Sequence, residues 1–97
     1  ILNRYMKILI TGAAGFIGFN LAKKLISKKK IKKVYGLDNI NDYYSIKLKK
    51  LRINFLKKNK KFIFKKIDLK NNKQLQLFFK KKKFDIVYHL AAQAGVR

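Results

Sequence analysis

Three glycines that follow the first apolar run have the spacing of an anion-binding turn. Segment 11–18 reads Thr-Gly-Ala-Ala-Gly-Phe-Ile-Gly and lies between the apolar residues 8–10 and a helical pattern. Gly12 suits a tight exit from a strand, Gly15 a close approach to phosphate oxygens, and Gly18 a helix that lies against the sheet. The N–H groups and the positive dipole end of that helix then face the anion. The segment predicts the pyrophosphate site of a dinucleotide, and the alternative is a plain glycine-rich turn.

An aspartate follows the second apolar run at the distance where such a site places a carboxylate. Asp38 lies twenty residues beyond Gly18 and directly after residues 33–37. A carboxylate there accepts hydrogen bonds from the adenosine ribose and repels a 2′-phosphate, so the expected cofactor is NAD and not NADP. The alternatives are structural. In the first, Asp38 is only a turn residue. In the second, Asp68, which follows the third apolar run, is only a helix N-cap, a role that Asn71 or Asn72 could also fill.

The elements that must position these residues alternate along the chain. Strands are expected at residues 7–10, 33–37, 62–68 and 86–90, with a helix in each interval and the first helix ending near Lys28. The apolar helix faces are expected at Ile17, Leu21, Leu25, Gly18, Ala22 and Ile26, then Leu48, Leu51 and Phe55, then Leu75, Phe78 and Phe79. The order β-α-β-α-β-α-β predicts an α/β fold, the N-terminal part of a Rossmann-like doubly wound parallel sheet.

The net charge of +22 has two explanations. One is binding to nucleic acid or to a membrane surface through phosphate contacts. The other is a general drift toward lysine, because the chain has 23 lysines, three arginines and no proline. Arginine supplies most bidentate contacts to phosphates and bases, and it is scarce here. The lysines lie along every predicted helix and are not concentrated on one face. We therefore expect solvated lysine faces and neither a nucleic-acid partner nor a membrane partner.

Composition sets the remaining bounds. The chain has no cysteine, which leaves no disulfide framework and no thiolate metal site, and no metal site is expected. No apolar run approaches the length of a transmembrane helix, and no signal peptide is recognisable, so the expected location is the cytoplasm. Residues 1–5 precede the first methionine, Met6, and are interpreted as an N-terminal extension. Residues 6–97 are interpreted as a partial NAD-binding domain.

Several short motifs together resemble one family. The glycine segment, Asp38-Asn39, Asp68-Leu69 and residues 89–92 occur in the order of extended short-chain dehydrogenase/reductases, the NAD-dependent epimerase/dehydratase family, that act on nucleotide sugars. Residues 38–44, which include Tyr43 and Tyr44, and residues 90–97 are most similar to UDP-glucuronate 4-epimerases. UDP-galactose 4-epimerases commonly have lysine where this chain has Ala94. The dTDP-glucose dehydratases have Ala-Ala-Glu-Ser at residues 91–94, where this chain reads Ala-Ala-Gln-Ala.

The resemblance implies roles for the matching residues. The residues that it assigns to NAD are Gly12, Ala14, Gly15, Phe16, Ile17, Gly18, Asp38, Asn39, Asp68, Leu69, Leu90, Ala91, Ala92 and Gln93. Among them, the backbone amides of Phe16 and Ile17 cover the pyrophosphate, and Asp68 with Leu69 contacts adenine. Gly95, Val96 and Arg97 lie nearest the UDP-sugar. His89 is interpreted as a packed strand residue and not a catalytic base, and Tyr43 and Tyr44 as loop-packing residues.

The resemblance also implies catalytic residues that we do not find. These enzymes use a Tyr-x-x-x-Lys pair well after the fourth strand. Tyr43 and Lys47 have that spacing, but they are expected in the loop on the adenosine side, before the second helix. We assign no catalytic residue in this chain. The prediction is the NAD-binding part of a nucleotide-sugar 4-epimerase, an isomerase that is inactive as this piece alone and a homodimer at full length. The alternatives are another nucleotide-sugar epimerase or dehydratase, a non-catalytic nucleotide-binding module and a basic nucleic-acid binder.

Overall fold

The predicted alternation of strands and helices is present. The structure, a computed structural model, describes residues 6–39, 46–67 and 72–90. Within those ranges the strands are β1 (Met6–Thr11), β2 (Ile31–Asp38), β3 (Phe62–Lys66) and β4 (Ile86–His89). The helices are α1 (Phe16–Ile26), α2 (Ile46–Lys57) and α3 (Asn72–Lys81). No helix in the described ranges combines the length and the apolar character needed to cross a bilayer.

The four described strands form one parallel sheet in the order β3-β2-β1-β4. In this sheet Thr11 is paired with Leu37 of β2 on one side and with His89 of β4 on the other. The carboxyl ends of β1, β2 and β4 therefore meet at one edge of the sheet. That is the edge at which open α/β sheets bind ligands, and it carries the glycine turn and Asp38. The parallel arrangement confirms the predicted fold class.

Both faces of the sheet are covered, which explains the continuous apolar runs in β1 and β2. On one face Ile8, Ile10 and Val34 belong to a buried cluster with residues of α1 and α2. On the other face Leu9, Tyr35 and Leu37 belong to a second cluster with Phe78 of α3. The alternation of Ile8, Leu9 and Ile10 between the clusters is the two-residue period of a strand. β1 is thereby fixed at the centre of the structure.

The first helix differs from expectation in its end and in one apolar residue. α1 ends at Ile26, and Ser27 follows as its C-cap with its hydroxyl donating to the Lys24 carbonyl oxygen at 2.7 Å. Gly18, Ala22, Leu25 and Ile26 are buried as predicted. Ile17 is 68% exposed, so its predicted place on the buried face is wrong. The buried positions of α1 begin at Gly18, and the two helical residues before it, Phe16 and Ile17, are both exposed.

The second helix exists as predicted but buries a different face. Leu48, Leu51 and Phe55 were expected to face the sheet, and they are 45%, 59% and 47% exposed. The buried residues are Lys49, Ile53 and Leu56, which have the i, i+4, i+7 spacing of a helix face. The first of these buried positions is occupied by Lys49, whereas an apolar helix face would have an apolar residue there. The apolar pattern therefore identified the helix but chose the wrong side of it.

Candidate functional site

The glycine turn is tied to β2 through its backbone. Gly12 has φ of 75°, in the left-handed region that glycine adopts without a steric penalty. The N–H groups of Gly12 and Ala13 both donate to the Leu37 carbonyl oxygen, at 2.8 and 3.1 Å, and the Gly15 N–H donates to the Gly12 oxygen at 3.1 Å. These bonds close the tight exit from β1 that was predicted for Gly12. They also hold the turn beside the last residue of β2.

Gly18 permits a close approach that no other residue allows. A Cβ at Gly18 would overlap the Gly12 carbonyl oxygen and lie 2.9 Å from its carbon. The first turn of α1 therefore rests directly on the turn that precedes it. A Cβ at Gly15 would lie 3.4 Å from the same oxygen, which is an ordinary contact. Sterics within the chain account for glycine at position 18 but not at position 15. The close approach of a phosphate at Gly15 stays a prediction.

The N-terminus of α1 presents backbone donors. Its N-cap is Gly15, which has no side chain to accept from the helix, and the first turn contains no acid. The first intrahelical bond runs from the Phe19 N–H to the Gly15 carbonyl oxygen at 2.9 Å, so the amides of Phe16, Ile17 and Gly18 precede the helical ladder. The side chains of Phe16 and Ile17 are 69% and 68% exposed. Such a helix end suits an anion.

Asp38 lies where the ribose site was expected, and it is bound to the glycine turn. It is the last residue of β2 and is 6% exposed, which excludes the interpretation as a simple turn residue. Its Oδ2 accepts from the Ala14 N–H at 3.0 Å, and its Oδ1 lies 3.4 Å from Lys49 Nζ. Asn39 follows directly and is half-buried. The arrangement couples the carboxylate to the same loop that precedes the anion-binding helix end.

Two cations of α2 reach this edge, and sequence reasoning missed both. Lys49 forms the ion pair with Asp38. Arg52 donates from Nη1 to the Ala14 carbonyl oxygen at 3.0 Å, and its guanidinium carbon lies 5.9 Å from the centre of the Phe16 ring. Lys49 was indistinguishable among 23 lysines, whereas the rarity of arginine, with three in the chain, was a usable signal for Arg52.

A hydrogen bond joins the ends of β1 and β4. Thr11 Oγ1 and His89 Nδ1 lie 2.8 Å apart, and the Leu90 N–H donates to the Thr11 carbonyl oxygen at 3.2 Å. His89 is a residue of β4 as expected, but its side chain is exposed, so the interpretation as a packed residue is wrong. The cause is its place at the end of β4, which pairs with β1 on one side among the described strands. Leu90 is 38% exposed at this edge.

The remaining predicted site residues lie outside the described ranges. They are Asp68, Leu69, Ala91, Ala92, Gln93, Gly95, Val96 and Arg97, together with the loop tyrosines Tyr43 and Tyr44. Their roles stay predictions. The structure brings together Gly12, Ala14, Gly15, Gly18 and Asp38, with Phe16 and Ile17 at the adjoining helix end. Among the described residues, no cluster of His, Cys, Asp or Glu is suited to hold a metal ion.

Comparison with known proteins places this geometry in a family. The family model for GDP-mannose 4,6 dehydratase matches residues 9–97, which is most of the chain. The chain belongs to the GDP-mannose 4,6 dehydratase family. The chain is 52% identical to Protein CapI of Staphylococcus aureus over 92 residues, covering 95% of this chain and 27% of that protein. It is 46% identical to the UDP-glucuronate 4-epimerase of Thermodesulfobacterium geofontis, covering 92% of this chain and 27% of that protein.

Solved structures agree with this family assignment. The crystal structure of UDP-glucuronic acid 4-epimerase from Bacillus cereus in complex with UDP-glucuronic acid and NAD matches with a TM-score of 0.80 and 40% identity. The match covers 95% of this chain and 28% of that chain. This member of the GDP-mannose 4,6 dehydratase family therefore spans less than a third of the length of these relatives.

Proposed function

We propose that this chain is the NAD-binding N-terminal part of a UDP-glucuronate 4-epimerase. The observation that carries the proposal is the joined geometry of the glycine turn, the uncapped start of α1 and the Asp38 carboxylate at the ligand-binding edge of the sheet. The similarity to the Thermodesulfobacterium geofontis and Bacillus cereus epimerases supports the choice of reaction. Residues 38–44 and 90–97, which are similar to UDP-glucuronate 4-epimerases in sequence, support it further.

The residues present fit a dinucleotide. The amides of Phe16 and Ile17 at the start of α1 would hold the pyrophosphate, because they precede the helical hydrogen-bond ladder. Asp38 and Asn39, at the end of β2, would hold the adenosine ribose. NAD supplies a hydride acceptor that, once reduced, returns the hydride. The role proposed for the residues of this chain is to bind and orient that cofactor.

The substrate assignment rests on different residues. Gly95, Val96 and Arg97 are proposed to lie nearest the sugar nucleotide. They follow β4 in the sequence, and β4 itself ends at the edge proposed to carry the cofactor. An epimerase oxidises the C4 hydroxyl transiently, and hydride returns to the opposite face of the keto sugar. The base for this step is proposed to lie outside the 97 residues. The expected homodimer and cytoplasmic location stay predictions.

Product analysis tests the proposal. Here the full chain means the full-length protein of which these 97 residues are proposed to be the N-terminal part. Incubated with NAD and UDP-glucuronate, the full chain is expected to form UDP-galacturonate to an equilibrium mixture, measured by anion-exchange chromatography. UDP-glucose is the matched control, because it lacks only the carboxylate of the sugar. Conversion of UDP-glucose at an equal or greater rate, or absence of UDP-galacturonate, would contradict the proposed substrate.

The family description favours one second candidate, a sugar-nucleotide dehydratase. Dehydration eliminates water, so the product is lighter than its substrate by one water molecule, whereas epimerisation leaves the mass unchanged. Mass spectrometry of the product from GDP-mannose, run beside that from UDP-glucuronate, separates the two reactions. Loss of water from GDP-mannose with no epimerisation of UDP-glucuronate would favour the dehydratase.

A further inference from the structure

The outward side of α2 exposes an apolar stripe. Leu48, Leu51 and Phe55 have the i, i+3, i+7 spacing of one helix side, and all three are exposed. The side that packs on the sheet is formed by other residues, among them Ile53 and Leu56. Exposed apolar side chains that adjoin one another mark contact sites, whereas single ones do not. The stripe therefore points to a contact surface on the outward side of α2.

The stripe continues onto α1. The rings of Phe19 and Phe55 meet edge to face, with their centres 5.8 Å apart. Lys23 Nζ lies 5.9 Å from the centre of the Phe19 ring and 5.7 Å from that of the Phe55 ring. An exposed lysine in this position keeps its ammonium group in water beside an apolar surface. We call the apolar residues Phe19, Leu48, Leu51 and Phe55 the outer patch.

The outer patch is bordered by positive charge. Lys47 lies four residues before Leu51, and Lys58 lies seven residues after it, which are positions on the same side of a helix. Both lysines are exposed, and Lys23 lies on the α1 side of the patch. Neither α1 nor α2 contains an acidic residue. The surface therefore combines apolar side chains with cations that have no carboxylate partner on their own helices.

This combination fits an anionic lipid surface better than a macromolecule. Acidic headgroups attract lysines, and the boundary of the acyl chains accepts leucine and phenylalanine side chains. The phosphates of a nucleic-acid duplex would attract the lysines but offer no apolar partner to a leucine stripe. The centres of protein interfaces are depleted in lysine and enriched in arginine. A second copy of this segment would bring the same positive charge.

The outer patch lies at the end of the sheet away from β4. The strand order makes β3 and β4 the two edges of the described sheet, and α2 packs against β3 and α1. Strands added beside β4 would extend the sheet in the direction away from α2. A continuation of the chain after β4 therefore does not need to cover the patch.

We propose that the outer patch binds the surface of an anionic lipid bilayer. α2 lies in the plane of the interface, Leu51 and Phe55 enter the boundary between headgroups and acyl chains, and the bordering lysines contact the headgroups. The proposal goes beyond the proposed function and departs from the expectation of no membrane partner. That expectation placed Leu48, Leu51 and Phe55 against the sheet, where they could not have contacted lipid.

Vesicle co-sedimentation of the full chain tests the proposal. Vesicles are made from phosphatidylcholine alone and from an equal mixture of phosphatidylcholine and phosphatidylglycerol. We expect the wild type to bind the mixture and to be released by high salt, because salt screens the attraction between lysines and headgroups. Leu51→Ser should weaken binding to the mixture about tenfold, since it removes an apolar side chain from the acyl boundary.

Leu77→Ser is the matched control, because Leu77 is 58% exposed on α3 and Leu51 is 59% exposed on α2. Failure of the wild type to bind the mixture would overturn the proposal. Unchanged binding of Leu51→Ser, or an equal loss in Leu77→Ser, would overturn it too. A changed sedimentation coefficient of Leu51→Ser at unchanged vesicle binding would assign the patch to a contact between copies instead.

Circular dichroism checks the folding of each variant. Phe55→Ser replaces Leu51→Ser if the latter does not fold. NAD binding, measured on the same samples, reports on the proposed function separately, because Leu51 is not part of the proposed cofactor site. Loss of NAD binding with vesicle binding intact would count against the proposed function and leave the lipid surface standing.

Discussion

At the scale of residues, Ala14 is the point where the parts of the site meet. Its N–H donates to Asp38 and its carbonyl oxygen accepts from Arg52. Both backbone polar groups of Ala14 are therefore hydrogen-bonded to side chains that are distant in sequence. The glycines and Asp38 could be predicted because the chemistry of a pyrophosphate turn restricts the residue types at those positions. Arg52 and Lys49 could not, because long side chains reach the site from a helix whose buried face the pattern did not identify.

The first prediction at this scale concerns the close approach at Gly18. Gly18→Ala places a Cβ against the carbonyl group of Gly12, so the turn or the helix must shift. We expect a loss of about 2 kcal/mol in the free energy of unfolding, in the range for overpacked sites. Urea denaturation of the full chain measures it.

Gly15→Ala is the matched control for that variant. Its Cβ would lie 3.4 Å from the Gly12 oxygen, so the free energy of unfolding should change by less than about 0.5 kcal/mol while NAD binding weakens. Equal stability losses for the two variants would refute the close packing of α1 on the turn.

The second prediction concerns Arg52. Arg52→Ala removes the hydrogen bond to the Ala14 carbonyl oxygen and the contact with the Phe16 ring, which leaves the turn less firmly oriented. We expect the dissociation constant for NAD to rise about tenfold, the equivalent of one charge-assisted hydrogen bond. Fluorescence titration with NAD provides the measurement, and Lys57→Ala, an exposed lysine of α2, serves as the control. An unchanged constant in Arg52→Ala would contradict the bracing role.

At the scale of elements, the order and type of the helices and strands followed from apolar periodicity, whereas the faces did not. β1 and β2 are longer than predicted, since β2 begins at Ile31 and includes Asp38, and backbone pairing extends beyond the apolar residues that reveal a strand. β3 and β4 end earlier than predicted, at Lys66 and His89. In α2 the apolar residues occupy two sides of the helix. The side of α2 that is buried depends on its contacts with β3 and α1 and on the ion pair with Asp38. These are tertiary contacts, which a local sequence pattern does not contain.

The prediction at this scale compares two aliphatic residues of α2. Ile53 is 4% exposed in the core and Leu51 is 59% exposed. Ile53→Ala should lower the free energy of unfolding by about 2–4 kcal/mol, because it removes buried methyl groups and leaves a cavity. Leu51→Ala should lower it by less than about 0.5 kcal/mol. Chemical denaturation of both variants tests the assignment of faces, and the reverse order of losses would show that the sequence pattern had chosen correctly.

At the scale of the whole molecule, the described part contains the edge proposed to bind NAD, and no catalytic residue is assigned in it. The chain spans less than a third of its relatives' length, and a Tyr-x-x-x-Lys pair after β4 is not found in it. In the described sheet, β4 pairs with β1 and leaves Val87 45% exposed. An apolar strand at a sheet edge favours association with further strands.

The prediction at this scale is that residues 1–97 alone are catalytically silent. Hydride transfer needs a base and a positioned sugar, and neither is assigned within these residues. Purified residues 1–97 with NAD and UDP-glucuronate should form no UDP-galacturonate above a buffer control in the chromatographic assay. The full chain is the positive control. Turnover by residues 1–97 would show that the chemistry resides in them and would refute the division of roles proposed above.

The most direct test of the central claim is a crystal structure of the full chain with NAD. The account predicts pyrophosphate oxygens within about 3.2 Å of the Phe16 or Ile17 backbone nitrogen, and adenosine ribose hydroxyls within about 3 Å of the Asp38 carboxylate oxygens. It also predicts that Arg52 still contacts the Ala14 carbonyl oxygen. A dinucleotide bound elsewhere, or one whose adenosine ribose lies away from Asp38, would contradict the claim that this edge is the NAD site.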